Sequence, residues 1–304
     1  MGTSKRGSLS SETQGLVFGL SAFFMWGFFP VYWKSLDAVP AFQILAHRIL
    51  WAFVFTLALV LALRRGDRLA ELLRSRRRFA AAAAAGVLVA VNWGIYIWAV
   101  NADQIVESSL GYFLNPLVSA ALGALILREH LDRGMVAAYA IAGLGIVVQA
   151  VSYGRLPWIS LSLAATFSLY SLVKKIAGLD VLTGLVLEAA TTTPVALAFL
   201  LAENGAGRGA FWNAGAMPTA LLVLAGPVTA IPLLAFAAGV VRLPLTRIGI
   251  LQYLSPTLQL LLGVFAYGER LGSTRAFTLG CILAALVVFG LTRRGAGRPR
   301  VPAS

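Results

Sequence analysis

Charge is scarce in this chain, and so are the residues from which most soluble active sites are built. Charged side chains make up 12% of its 304 residues, and there are one cysteine and two histidines. A soluble domain is about 25% charged. The single cysteine, Cys281, excludes a disulfide framework or a cysteine-based metal site within one chain. No Walker-type phosphate loop, histidine-rich metal cluster or nucleophile elbow is present. ATP-driven transport by this chain alone is therefore not expected, and neither is a cofactor or an enzyme activity. His47, His130 and the scattered carboxylates make no acid or histidine cluster for a membrane-embedded enzyme.

Apolar residues are what the chain has in excess: 59%, with a mean hydropathy of +0.82. One core cannot hide so much, and lipid is the expected solvent for much of the surface. A net charge of +13 would suggest nucleic acid in a soluble protein. Here the basic residues sit in short loops and tails between apolar runs, so they orient the chain in a bilayer instead. No nucleic-acid partner is expected. Lys5 and Arg6 before the run from Gly15 resemble a signal peptide, but that run is long, rich in aromatics and followed by similar ones, so it is expected to be retained.

Ten segments fit a helix long enough to span a bilayer: 15–34, 42–63, 80–101, 105–127, 134–152, 157–175, 181–201, 218–240, 245–267 and 274–292. Of the 25 lysines and arginines, 19 fall on the side of the N-terminus and five on the other, and Arg48 lies within a span. That asymmetry predicts both termini in the cytoplasm and a multi-pass protein of the inner (plasma) membrane. Residues 1–14 and 293–304 then form cytoplasmic tails.

Shifting the chain by 140 residues against itself brings GYFLNPLVSAALGALILREHL at Gly111–Leu131 over LQYLSPTLQLLLGVFAYGERL at Leu251–Leu271. Pro116 falls on Pro256, Gly123 on Gly263 and Glu129 on Glu269; the same shift pairs Lys34 with Lys174 and Gly86 with Gly226. Five spans (15–152) thus map onto five (153–292). An odd number turns the second copy upside down. Inverted repeats can exchange conformations and so open a cavity to either side in turn. A duplication that merely enlarged a helical bundle is the alternative.

The segments that carry the repeat also resemble a known family. WGFFPVYWK (Trp26–Lys34), ILAHRILWA (Ile44–Ala52), NWGIYIWAVN (Asn92–Asn101), SLGYFLNPLVSAALG (Ser109–Gly123), LAGPVTAIPLLAFA (Leu224–Ala237) and RIGILQYLSPTLQLLLGV (Arg247–Val264) are similar to the EamA branch of the drug/metabolite transporter superfamily, in its RarD-type members. The resemblance runs from Gly15 to about Leu291. It implies an all-α integral membrane protein of ten transmembrane helices as two inverted five-helix EamA repeats. It also implies a central cavity and a permease that moves a small polar or amphipathic metabolite or drug, most simply by export. Uptake of an amino acid or similar metabolite is the alternative, ahead of a passive channel or a membrane-embedded enzyme.

Polar residues within the spans are the candidate site, because a charge at the bilayer centre costs about 2.5–3.5 kcal/mol by insertion scales. Arg48 and Glu188 occupy equivalent depths in the second and seventh spans. Arg48 is the candidate anchor for an anionic or zwitterionic substrate, because a guanidinium stays protonated and binds carboxylates bidentately. An Arg48–Glu188 ion pair, or Arg48 bound to backbone carbonyls, that only orders the bundle is the alternative. Glu188 is the candidate for proton coupling, with His47 second. Asn92, Trp93 and Tyr96 share a helix face suited to an amphipathic ligand, whereas Trp98 and Asn101 read as interfacial anchors. Pro116 and Pro256 are expected to kink the fourth and ninth spans, which places Tyr112, Asn115, Gln252 and Tyr253 on the transport path. Glu129 and Glu269 are expected to cap or stop helices at opposite faces. Ala138, Ala142, Gly280 and Ala284 have the spacing of close helix packing or a homodimer seam; a monomer is the other possibility. The basic run Arg64–Arg78 is expected to lie against anionic headgroups.

Overall fold

The computed structural model describes residues 10–127, 133–240, 242–243 and 251–296. Arg128, Glu129, His130, Leu131, Arg247 and both extreme termini lie outside the described residues. Among the described residues there are helices and no strand. The helices are α1 (Ser11–Gly27), α2 (Phe29–Lys34), α3 (Ala41–Ala62), α4 (Gly66–Arg74), α5 (Arg76–Asn101), α6 (Ile105–Leu127), α7 (Arg133–Tyr153), α8 (Trp158–Ala177), α9 (Val181–Gly205), α10 (Ala216–Val240), α11 (Leu254–Leu261) and α12 (Ser273–Ala296). A π-helical turn, Leu262–Ala266, continues α11.

Seven of these are long and apolar enough to cross a membrane: α1 together with α2, then α3, α5, α7, α9, α10 and α12. Their outer faces are as apolar as their inner ones. Val151 is 78% exposed and Val195 73%, positions that water disfavours and that lipid accepts.

Proline places two of the breaks. Pro30 has no N–H to return to the Trp26 carbonyl four residues back, so α1 ends and α2 begins across Phe28. The released carbonyl is used elsewhere: the Gln259 side-chain amide of α11 donates to it at 3.0 Å. Pro116 lies inside α6 as expected. Pro256 follows a break: Leu251 is helical, Gln252 and Tyr253 form a turn, and helix resumes at Leu254. The proline sits in the first turn of α11, where the N–H that proline lacks has no partner in any case. The break falls at Gln252, four residues back, whose carbonyl Pro256 cannot engage, and a second irregularity follows in the π-turn.

Loops sort to two ends. At one end Arg65, ahead of α4, acts electrostatically on Asp180 of the α8–α9 turn, and Leu69 and Leu72 of α4 pack against Ala177 and Leu179. Partial burial pushes the Asp180 carboxyl up, but bonds from Thr183 and the Arg65 charge outweigh this and hold it below the usual carboxylate range. At the other end Lys34 pairs with Asp103 and approaches the Tyr267 ring. Gln43, at the start of α3, receives the Ala210 N–H and reaches Glu203 and the Arg208 carbonyl.

Helix pairing follows the 140-residue shift. α6 packs on α8 as α1 packs on α11; α5 packs on α8 as α1 packs on α10; α5 meets α9 as α10 meets α3; and α3 with α9, and α7 with α12, pair across. Two shift-related glycines make the closest approaches. A Cβ on Gly86 would lie 2.4 Å from the Glu188 carbonyl oxygen, and one on Gly226 2.3 Å from that of Trp51. Ala138 and Ala142 are buried toward α12, but Gly280 and Ala284 face outward, and α12 meets α7 instead through Thr278 and Gly145, whose carbonyl accepts from the threonine hydroxyl at 3.0 Å.

Glu269 caps a helix as expected, at long range in sequence. Its carboxylate accepts from the Ile105 and Val106 N–H groups at 2.7 and 2.9 Å, closing the N-terminus of α6 with a buried, charge-assisted pair. Glu269→Ala leaves both donors without a partner, at about 1–3 kcal/mol each. We expect a clear drop in the thermal midpoint of the detergent-solubilised protein, with Glu269→Gln in between. An unchanged midpoint would show that water satisfies this end.

Candidate functional site

α3 is apolar for most of its length and carries Arg48 near its middle, so the guanidinium must find company inside the bundle. It finds aromatic rings. The guanidinium carbon lies 3.9 Å from the centroid of the Trp93 ring, 4.8 Å from Trp33 and 5.7 Å from Phe29. Phe29 and Trp33 are four apart on α2 and so present both rings to one place; α5 supplies Trp93. Arg48 is 2% exposed, and its Nε and Nη1 have no hydrogen-bond partner. Among the described residues no carboxylate forms an ion pair with it. Cation–π contacts stabilise the charge by roughly 0.5–2 kcal/mol each, but they leave hydrogen-bond donors unused.

Phenols and one amide surround this cage. Tyr112, Tyr96 and Tyr32 lie within electrostatic reach of Arg48. Tyr96 and Tyr112 meet edge to face at 5.6 Å, and the Tyr96 hydroxyl is buried without a partner. Asn92 is fully engaged: its amide donates to the Leu163 carbonyl at 3.0 Å and to Thr166 Oγ1 at 2.9 Å, and the Tyr112 hydroxyl stands 3.5 Å from its Oδ1. The amide that needed a partner thus ties α5 to α8. Tyr32 donates to the Leu221 carbonyl of α10.

Arg48, Asn92, Trp93, Tyr96 and Tyr112 therefore come together as expected, whereas the other candidates do not join them. Tyr253 stacks on Phe113 at 6.2 Å in a separate apolar cluster, hydrogen-bonded to its neighbour Gln252. Asn115 lies beside α8, where its carbonyl accepts from Ser168 and its own Oδ1 is unpartnered. His47 points away from Arg48, as the helical angle requires, and stacks on Phe211 at 5.0 Å. Trp98 is exposed and leans on Trp158, in keeping with an interfacial anchor, while Asn101 is half-buried with both amide atoms unpartnered.

Glu188 does not meet Arg48. Its Oε1 lies 2.6 Å from Lys174 Nζ, its Oε2 accepts from Tyr170 at 2.9 Å, and Lys174 also donates to the Tyr170 hydroxyl. The expected alternative of an Arg48–Glu188 pair is thus excluded in this conformation: the carboxylate is neutralised by a cation from α8 at 1% exposure. Sequence reading placed Lys174 at the end of a span among the orienting charges and missed this role. One signal was available. Lys34 precedes Arg48 by the same fourteen residues that separate Lys174 from Glu188. Phe29, Tyr32 and Trp33 were missed for lack of any signal beyond an aromatic-rich motif.

Comparison with known proteins accords with this geometry. Residues 13–150 match the family model of the EamA-like transporter family. The chain is 44% identical to the uncharacterized transporter YojE of Bacillus subtilis (strain 168), covering 92% of this chain and 94% of that one. It is 40% identical to Protein RarD of Streptomyces exfoliatus, over 92% and 89% of the two chains. To Protein RarD of Escherichia coli (strain K12) it is 38% identical, over 91% and 93%. A solved crystal structure shares the fold at a TM-score of 0.59, with 21% identity, over 95% of this chain and all of that one.

Proposed function

The chain belongs to the EamA-like transporter family, in its RarD-type branch, and from that premise we propose a secondary transporter that exports a small metabolite or drug bearing a carboxylate or a strong dipole. Multi-pass membrane location and transport are the family's common ground; substrate, direction and mechanism are this proposal.

One observation carries the substrate class. A guanidinium enclosed by aromatic rings, with buried donors unfilled and no carboxylate paired with it among the described residues, is a receptor for an anion that comes and goes. The rings accept the apolar part of an amphipathic molecule, and Arg48 takes its acidic end. Saturable counterflow in proteoliposomes tests the carrier reading. A thermal-shift screen of amino acids, nucleosides and phenicols supplies the solute, and an internal load of it should accelerate entry of labelled solute. Flux that neither saturates nor responds to the internal load marks a channel.

The mechanism we propose is alternating access by two inverted halves, 15–152 and 153–292, in ten spans: the seven membrane-length helices plus α6, α8 and α11 with its π-turn. The shift-related helix pairs and the paired contacts of Gly86 and Gly226 support it. Orientation with the α4 end in the cytoplasm follows from the basic residues there. In a Cys281→Ser background, cysteines at Asp37 and Ala206 should react with an impermeant maleimide in intact cells. Cysteines at Arg65 and Arg74 should react only after permeabilisation. Labelling of all four from outside would remove the inversion.

A further inference from the structure

At the end of the bundle that carries Lys34 and Asp103, a second polar site lies apart from the Arg48 cage. A cavity of about 220 Å³ opens between the start of α6, the end of α7, the α7–α8 connection and the start of α12. Glu107, Gln149, Tyr153, Arg155 and Arg275 line it. Its five polar lining side chains and modest size suit a short organic acid.

The charges do not balance. Arg275 donates through Nη2 to Gln104 Oε1 at 3.1 Å and reaches Glu107 only at 3.5 Å. Its Nε is buried with no partner. Glu107 is 5% exposed and takes the Ile159 N–H besides the long Arg275 contact, which leaves part of its accepting capacity free. Arg155 acts on Glu107 electrostatically, yet its guanidinium is exposed and makes no ion pair among the described residues. Gln149 is 1% exposed at the cavity wall, a buried amide placed where an apolar side chain would cost less. Two guanidiniums against one engaged carboxylate leave the cavity with one positive charge in excess.

We propose that this cavity is a binding site for a small monocarboxylate, amino acids included. The carboxylate of the ligand takes the unused Arg275 Nε–H, the Arg155 fork and the Gln149 amide. Glu107 sets the charge: it repels a dianion such as phosphate, and together with the Tyr153 ring it accepts the ammonium of an amino acid. The site does not depend on Arg48. If the orientation proposed above holds, it faces the exterior.

The test uses full-length protein in nanodiscs with Arg48 replaced by Ala, so that binding at the cage cannot be mistaken for it, and radiolabelled L-alanine as the probe. Saturable binding should persist in that background. Unlabelled propionate should displace the label, and phosphate should be at least tenfold weaker. Arg275→Gln and Gln149→Leu should each weaken binding at least tenfold. Should Arg275→Gln fail to fold, Gln149→Leu and Arg155→Gln carry the same comparison. Absence of L-alanine binding in the Arg48→Ala protein, or binding indifferent to these substitutions, overturns the site; displacement by phosphate as readily as by propionate overturns the monocarboxylate class. Counterflow that persists in the Arg48→Ala protein with this binding intact would count against the proposed transport role of Arg48 alone.

Discussion

Arg48→Met is expected to abolish carrier activity while the protein stays folded with an equal or higher thermal midpoint. The two halves of that expectation rest on the same fact. Arg48 is buried, its Nε and Nη1 have no partner, and among the described residues aromatic rings and phenols are what offset its desolvation. Unmet burial of a charge costs several kcal/mol, and three cation–π contacts return roughly 0.5–2 kcal/mol each. A methionine of similar length fills the space between Trp93, Trp33 and Phe29 without that debt. For transport the sign is opposite. Losing one partner of a buried, hydrogen-bonded charge pair with substrate costs about 2–5 kcal/mol, so kcat/KM should fall about 30-fold or more. Arg48→Lys separates charge from shape. It keeps a cation but not the planar fork or the stacking, and intermediate flux is expected. Vesicle counterflow and a melting curve on the same preparations decide the matter. A midpoint that drops sharply in Arg48→Met with flux preserved would make Arg48 a strut.

Lys174→Ala should be the most destabilising of the substitutions considered, and Glu188→Gln should rescue it. With Lys174 gone, Glu188 is left as a carboxylate at 1% exposure with a single phenol donor. Breaking one side of a buried ion pair costs about 3–5 kcal/mol, because the other charge stays uncompensated. The double variant Lys174→Ala, Glu188→Gln removes both charges and should recover most of the loss, an interaction that a double-mutant cycle reads directly. Additive losses would mean that the pair is not formed in the membrane. The same cycle bears on proton coupling, the role for which the sequence makes Glu188 the candidate. A proton carrier must part from Lys174 at some stage, so Glu188→Gln should make flux insensitive to collapse of the proton gradient. Wild-type flux that already ignores the gradient removes this role.

How much of the site could be read beforehand differs by residue, for physical reasons. Arg48 stood out because one cation in a long apolar run is costly wherever it points. Asn92, Trp93 and Tyr96 could be placed together because helical spacing sets a face. Tyr112 joined them only through the packing of α5 on α6. Gln252, Tyr253 and Asn115 did not, because they were chosen on the argument that paired prolines mark paired kinks. The helix does break at Gln252 and Tyr253, ahead of Pro256, but where a break aims its side chains is not written in a pattern of residue types. Phe29 and Trp33 were hidden among 17 phenylalanines and seven tryptophans. Nothing local distinguishes an aromatic that cages a guanidinium from one that faces lipid.

By itself the chain determined that it is helical and that it lies in a membrane. These properties depend on averages over some twenty residues, in which single errors cancel and the low dielectric of lipid leaves few options for the backbone. Only the tertiary structure decided which charges meet. Lys174 rather than Arg48 neutralises Glu188, Glu269 closes a helix whose first residue lies 164 positions earlier, and Arg48 is left to the rings. A partner within 3 Å is set by the sum of all the helix packings, and no stretch of sequence short enough to read contains that sum.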